Sequence, residues 1–244
     1  WGRTPGAERG RLIGRIRDQV ESHLDELAAL ETRDTGKPLK QARVDAGVAL
    51  RYFEYYAGAA DKLHGDTIPF LDDYQILTLR EPYGVTGHII PWNYPAALVS
   101  RKVAPAMIAG DTIVLKPHEM TPLSALFMAR LFDEAGVPPG VVNVVTGRGE
   151  TVGEAITRSQ DVDLVSMTGS VPTGKRIMEV ASRHLTQVSL ELGGKAPFIV
   201  MADADLDLAV RSAVTSRFMN CGQVCICNER TLVQEDVFDA FVDR

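Results

Sequence analysis

The sequence predicts an α/β fold: a mostly parallel sheet flanked by helices. Three observations point there. From Gly84 onward, short runs rich in Val and Ile alternate with stretches of helical periodicity. Alternation at this spacing implies βαβ units. Before Gly84, apolar residues recur at helical spacing through two long segments. Glycines and polar residues gather where the strands end, which is where ligands lie in such sheets.

The elements follow in order. Leu12, Ile13, Ile16, Val20, Leu24 and Leu27 predict one helix from Glu8 to about Asp34, ended by Gly36 and Pro38. A second helix is expected from about Leu39 to Ala60. In "HGDTIPFLDDYQILTLREP", Ile76, Leu77 and Leu79 are strand-like and "LDD" can turn a hairpin. The strands then read as "GVTGHII", "TIVLKP", "VVNVVT", "VDLVSMT", "QVSLEL" and "APFIVM". Helices fit near 95–109, 121–135, 150–158, 172–184 and 204–219. There is no internal repeat and no low-complexity tract.

Composition narrows the function classes. A 244-residue chain that is 45% hydrophobic can bury a sizeable core, as one large domain or two small ones. The net charge of −6, with Lys and Arg spread along the chain, argues against nucleic-acid binding and against an anionic membrane surface. No apolar run approaches the roughly 20 residues of a membrane span, and nothing at the start resembles a secretory signal. Cys221, Cys225 and Cys227 form an odd, clustered set rather than a disulfide framework, so a reducing cytoplasm is expected. The chain opens on Trp1, and "VFDAFVDR" starts an amphipathic helix with Val237, Phe238 and Phe241 on one side, then stops. Both ends read as cut, and a fragment of a longer protein is expected.

The strand ends carry the chemistry. "TGSVPTGKR" nearly spells a phosphate-binding P-loop, with Gly169 and Gly174 five apart and then a lysine. A P-loop needs Ser or Thr next, to hold magnesium, and Arg176 stands there. The free N–H groups and dipole of the helix would still attract a phosphate; an ordinary strand-to-helix turn fits equally well. "VVNVVTGRGETVG" ends a strand with Gly147, Gly149 and Gly153, one residue off a dinucleotide fingerprint. Lys116 and Glu119 lie just past another strand end. There a lysine can bond ribose hydroxyls or a phosphate, while a carboxylate can accept both ribose hydroxyls and repel a 2′-phosphate. A solvated loop is the plainer alternative.

Three further segments could supply reacting groups. In "IIPWNYP", Pro91 and Pro95 bracket Trp92 and Asn93, a rigid loop able to aim an amide at a developing oxyanion; an Asn in a proline turn can equally be structural. "LELGGKAP" puts Glu191 at a strand end, where apolar neighbours would raise its pKa and suit it to act as a general base. A partnered Glu in a turn is the alternative. In "FMNCGQVCICNER", the C-x₃-C and C-x-C spacings, with no fourth Cys and no nearby His, argue against a metal site. A nucleophilic thiol fits better.

Taken together, "PWNYP", "KPHEMTP", "GVPPGVVNVVTG", "MTGSVPTG", "LELGGK" and "NCGQVC" resemble the NAD(P)-dependent aldehyde dehydrogenase superfamily, in its order and at its spacing along nearly the whole chain. "GRGETVG", "VSMTGSV" and "NCGQVCICNER" are most similar to the lactaldehyde/glycolaldehyde dehydrogenase branch. The resemblance implies Cys225 as nucleophile, Glu191 as general base and Asn93 as oxyanion donor. It implies that Lys116 and Glu119 hold the adenosine ribose of NAD, that Trp92 and Gly147 belong to the cofactor site, and that Gly169, Ser170 and Gly174 form the turn beside the pyrophosphate. Cys221 and Cys227 are expected to be packing thiols, and no metal is expected. His118 departs from the family, which commonly has a small residue such as Ser there.

The resemblance also implies an organisation. Residues 1–63 and 83–194 would form a Rossmann-like NAD-binding domain, 64–82 an oligomerisation hairpin, and 195–244 the start of a catalytic domain. Family chains are roughly twice as long, so this stretch alone is expected to be inactive. The implied substrate is a small aldehyde, lactaldehyde or glycolaldehyde, in a cytoplasmic homodimer or homotetramer. Rival readings are a succinate-semialdehyde or other aldehyde dehydrogenase, a P-loop-like phosphate-binding protein, and a non-catalytic scaffold.

Overall fold

A computed structural model describes residues 1–244. The chain divides into two compact units, Trp1–Leu190 and Glu191–Arg244.

The first unit opens with three helices: α1 (Gly6–Ser22), α2 (Leu24–Thr35) and α3 (Leu39–Ala59). The single helix expected over Glu8–Asp34 is thus two. His23 leaves the helical region at φ −118° and ψ 17°. The Ser22 hydroxyl turns back to the carbonyls of Asp18 and Gln19, and the His23 ring sits 2.8 Å from the Gln19 carbonyl. Side chains that satisfy the last carbonyls in this way end a helix. The apolar stripe survives the break, because Leu12, Ile13, Ile16, Val20 and Leu27 are all buried. Gly36, in the left-handed conformation, closes α2.

A short hairpin follows, β1 (Thr67–Ile68) and β2 (Ile76–Leu77), with Thr67 opposite Leu77 and Ile68 opposite Ile76. Leu79, expected in the second strand, lies beyond it and is exposed. Phe70, Leu71 and Tyr74 are also exposed around the turn.

Five strands then form the main sheet: β3 (Val85–Ile89), β4 (Thr112–Lys116), β5 (Val142–Val144), β6 (Leu164–Gly169) and β7 (Gln187–Leu192). Their order is β5-β4-β3-β6-β7. β4 and β6 flank β3, both parallel to it, and β5 is parallel to β4. The connections are α4 (Pro95–Ala109), α5 (Leu123–Glu134), a π-helical turn over Gly149–Gly153 leading into α6 (Glu154–Arg158), and α7 (Val171–Ala181). Parallel strands covered on both faces read as nearly continuous apolar runs, and the three middle residues of β3 are all buried. The main core joins α1–α5 with Ile90, Ile113 and Leu115. On α6, Ile156 reaches Gly87 of β3, where any Cβ would collide with its methyl group.

Chain order runs outward from β3 through β4 to β5, then resumes on the other side of β3 with β6. The strand order therefore reverses between β3 and β6, and in such sheets the crevice beyond the carboxyl ends at the reversal binds ligands.

The second unit contains β8 (Ala196–Val200), α8 (Leu206–Phe218), β9 (Asn228–Val233) and α9 (Phe238–Val242). β8 and β9 pair in parallel, with an irregularity between Ala196 and Pro197.

Candidate active site

The crevice at the strand-order reversal is a cavity of about 890 Å³, lined by Ile89, Glu119, Arg148, Gly153, Thr173 and Arg176 among others. β4 ends at Lys116, three residues before Glu119. The Lys116 side chain is buried; its ammonium donates to the Pro117 carbonyl at 3.0 Å and lies 3.4 Å from a Glu119 carboxylate oxygen. The Glu119 carboxylate is half open to solvent. A bond from its own backbone N–H, with Lys116 and His118 nearby, holds it below the usual carboxylate range. Burial lowers the His118 pKa, against the pull of Glu119. His118 Nδ1 accepts the Met120 N–H at 3.2 Å, so the residue that departs from the expected pattern braces the loop.

β6 ends at Gly169, and Ser170 caps α7: its hydroxyl oxygen accepts the Thr173 N–H at 3.3 Å. Pro172 sits in the first turn, where a missing N–H costs nothing. Arg176 is not a degraded magnesium ligand. Its guanidinium bonds Glu154 at 2.7 Å and Glu179 at 3.1 Å, and Glu154 also accepts from Arg158 at 2.7 Å. These two arginines hold the Glu154 carboxyl below its ordinary range. Gly147 has φ +146°, and a Cβ there would stand 2.5 Å from Val152. The pairing of Arg176 with Glu154 escapes sequence reasoning, because it depends on α6 and α7 lying side by side.

The loop after β3 carries Trp92 and Asn93. The Ile90 N–H reaches the Lys116 carbonyl at 3.0 Å, and the Thr121 hydroxyl donates to the Trp92 carbonyl at 3.2 Å, tying this loop to the one after β4. Trp92 is exposed and Asn93 half-buried. Behind the loop lies a buried cluster of charges. Lys37 donates to Glu31 at 2.9 Å and to Asp45 at 2.6 Å, and stands 4.5 Å over the Tyr94 ring. The other Glu31 oxygen accepts the Ala96 N–H at 2.9 Å. Lys102 of α4 donates to Ser166 of β6 at 2.7 Å. His88, buried beside this cation, has its pKa pushed down to about 4, mainly by burial.

Glu191 and Cys225 belong to the second unit. Burial alternates along β7, with Leu190 and Leu192 on the half-buried side and Glu191 on the exposed side. The apolar surroundings expected for this carboxylate are therefore absent: strand alternation sends it to the face opposite its leucine neighbours. Cys225 is exposed. Ahead of it the backbone makes a left-handed turn, with φ +50° at Asn220, +58° at Cys221 and +76° at Gly222. Asn220 is buried, and its amide donates to the Gln223 carbonyl at 3.2 Å. Left-handed conformations at non-glycine residues are costly and persist only when surrounding bonds enforce them.

Cys227 is a packing thiol as expected: it is buried and accepts an Arg217 N–H at 3.0 Å. Cys221 is not, because the left-handed turn carries it at the surface. A second cavity, about 390 Å³, is lined by Val224, Ile226 and Cys227 but not by Cys225.

Comparison with known proteins accords with this geometry. The model of the aldehyde dehydrogenase family matches residues 1–244. Mitochondrial benzaldehyde dehydrogenase of Antirrhinum majus is 50% identical over 246 residues, covering 100% of this chain and 46% of its own. The crystal structure of a putative aldehyde dehydrogenase from Burkholderia cenocepacia superposes with a TM-score of 0.97 at 50% identity, over 100% of this chain and 51% of its own. Betaine aldehyde dehydrogenase from Staphylococcus aureus, in complex with NAD+, gives 0.96 at 40%, over 100% and 48%. The chain spans about half the length of the curated relatives it matches.

Proposed function

The chain belongs to the aldehyde dehydrogenase family, and from that premise we propose that the protein oxidises a small aldehyde to its carboxylic acid with NAD. The observation that carries this is the cavity at the strand-order reversal, with Glu119 and the first turn of α7 in its wall and the buried Lys116 ammonium paired to Glu119 behind it. These residues fit a dinucleotide. Glu119 is the carboxylate for the ribose hydroxyls, Lys116 the cation behind it, and the turn Gly169–Gly174 presents N–H groups to a pyrophosphate. Trp92 and Gly147 flank the same loops. Bound NAD supplies an acceptor for hydride.

The chain's own residues supply the rest. The Cys225 thiolate attacks the aldehyde carbonyl, forming a C–S bond and a tetrahedral oxyanion. The Asn93 amide and the Cys225 backbone N–H donate to that oxyanion. Loss of hydride from the same carbon leaves a thioester on Cys225. Glu191 takes a proton from water, the resulting hydroxide attacks the thioester, and the acid departs as the thiolate re-forms.

The segments around Gly147 and Cys225 favour lactaldehyde or glycolaldehyde. Succinate semialdehyde and other aldehydes are the runners-up, since relatives named for benzaldehyde and betaine aldehyde share the same scaffold. The exposed Phe70, Leu71 and Tyr74 of the hairpin suit a subunit contact in a homodimer or homotetramer. The free, clustered cysteines suit the cytoplasm.

A panel of glycolaldehyde, lactaldehyde, succinate semialdehyde and benzaldehyde, followed by NADH absorbance, tests the substrate class. Preference for benzaldehyde or for the anionic succinate semialdehyde overturns the hydroxyaldehyde reading. Glu191→Gln should slow thioester hydrolysis about 10²-fold or more while hydride transfer persists. Rapid mixing then shows an NADH burst near one per active site. Loss of the burst places Glu191 in an earlier step.

A further inference from the structure

The proposed chemistry uses Asn93 and leaves unused three charged side chains that lie behind it. Glu31, Lys37 and Asp45 are each at most 3% exposed. Buried charges are costly unless every one is paired, and apolar replacements often stabilise a protein at least as well. This cluster is fully paired, and its bonds run toward one place. Lys37 binds Glu31 and Asp45, and Gln41 donates to the second Asp45 oxygen at 2.8 Å. The cluster then grips the chain at two points. The Lys37 ammonium lies over the ring of Tyr94, and Glu31 accepts the N–H of Ala96.

Those two points begin immediately after Asn93. Ala96 is the second residue of α4, so its N–H has no partner within the helix. Pro95 before it has no N–H, and Tyr94 offers no side-chain cap. Glu31 therefore caps α4 from a different helix, which locates the start of α4 relative to α2 and α3. We propose that Glu31, Lys37 and Asp45 form a positioning group that fixes the backbone at residues 93–96 and thereby aims the Asn93 amide. The inference rests on the reading of Asn93 as oxyanion donor. Such a donor works only at hydrogen-bond distance from the oxyanion, and a displacement near 1 Å can cost about 10²-fold.

A double-mutant cycle in the intact protein tests it, with glycolaldehyde or the panel member turned over fastest. Glu31→Ala should lower kcat about 10- to 100-fold, with KM for NAD within about twofold. Glu31→Gln keeps an acceptor for Ala96 and should retain more activity than Glu31→Ala. In an Asn93→Ala background, adding Glu31→Ala should change kcat by less than about twofold, because the group acts through Asn93. If the two losses multiply, the positioning role is wrong while the oxyanion role stands. An unchanged kcat in Glu31→Ala also overturns the positioning role. An unchanged kcat in Asn93→Ala alone refutes the oxyanion reading, and this inference falls with it. Should Glu31→Ala not fold by circular dichroism, the same cycle with Glu31→Asp, whose shorter side chain withdraws the carboxylate from the Ala96 N–H, decides.

Discussion

The two units treat their polar groups differently. In Trp1–Leu190 several of the groups assigned to the cofactor and the oxyanion are held by side-chain bonds, some of them buried. Lys116 is enclosed, Ser170 caps a helix, and a three-residue charge cluster braces the Asn93 loop. In Glu191–Arg244 the two groups proposed to react are on the surface, and the buried apolar side chains are only Val200, Ala213 and Cys227. The contrast teaches that a side chain can be held by its own bonds or through the backbone that carries it. A group that orients must be immobile, and enclosure achieves that. In the second unit what is held is the backbone, through the left-handed turn and the bonds of Asn220.

The sharpest break in this contrast would come from the thiols. Cys225→Ala should lower aldehyde oxidation by about 10⁴-fold or more, with NAD binding retained by calorimetry. Cys221→Ala, at an equally exposed site, should keep most activity. An equally inactive Cys221→Ala would mean that exposure at this turn says nothing about which sulfur reacts.

A smaller effect should mark the enclosed side. His88 is neutral when folded, with a pKa of about 4 against an ordinary value of 6.5. The unfolded chain therefore binds the extra proton first as pH falls. Stability should be complete above pH 6.5 and fall between pH 6.5 and 4, by about 2–3 kcal/mol at the lower end. Denaturant unfolding across that range measures it, and His88→Gln should flatten the slope. A wild-type curve already flat there would show that the sheet interior is less enclosed than described.

The smallest effect belongs to the group that is half enclosed and half exposed. Glu119 should favour NAD over NADP by repelling a 2′-phosphate. Glu119→Gln should narrow the ratio of kcat/KM values roughly fivefold, the worth of one exposed charge. Equal kcat/KM for the two cofactors before mutation would remove the rationale.

The sheet was legible because parallel strands and their helices carry long periodic signals; the start of α4 at Pro95 and the alternation along β7 follow from them. Other features depended on partners that no local pattern announces. α1 and α2 share one apolar stripe, so only the back-bonding of Ser22 and His23 reveals the break. β9 carries Glu229 and Arg230 and forms by pairing with β8, not by its own periodicity. Lys37 reads as part of a helix stop in "TGKPLK", yet it is buried by carboxylates six residues before it and eight after. Glu191 was legible as a strand-end carboxylate, but its exposure followed from the alternation of its strand rather than from its apolar neighbours in sequence.

Gly87 gives the cavity a dimension. It lies in the middle of the central strand, well away from any loop, and Ile156 of α6 rests where its side chain would be. Glu154 and Thr157, on the same short helix, line the cavity. The close approach of α6 to the sheet at this point depends on the absence of a side chain at position 87. A methyl group at position 87 would act as a shim, lifting α6 and spreading the crevice while touching nothing in it. One side of the opening thus carries a thickness tolerance written into the sheet, at a residue outside the cavity lining.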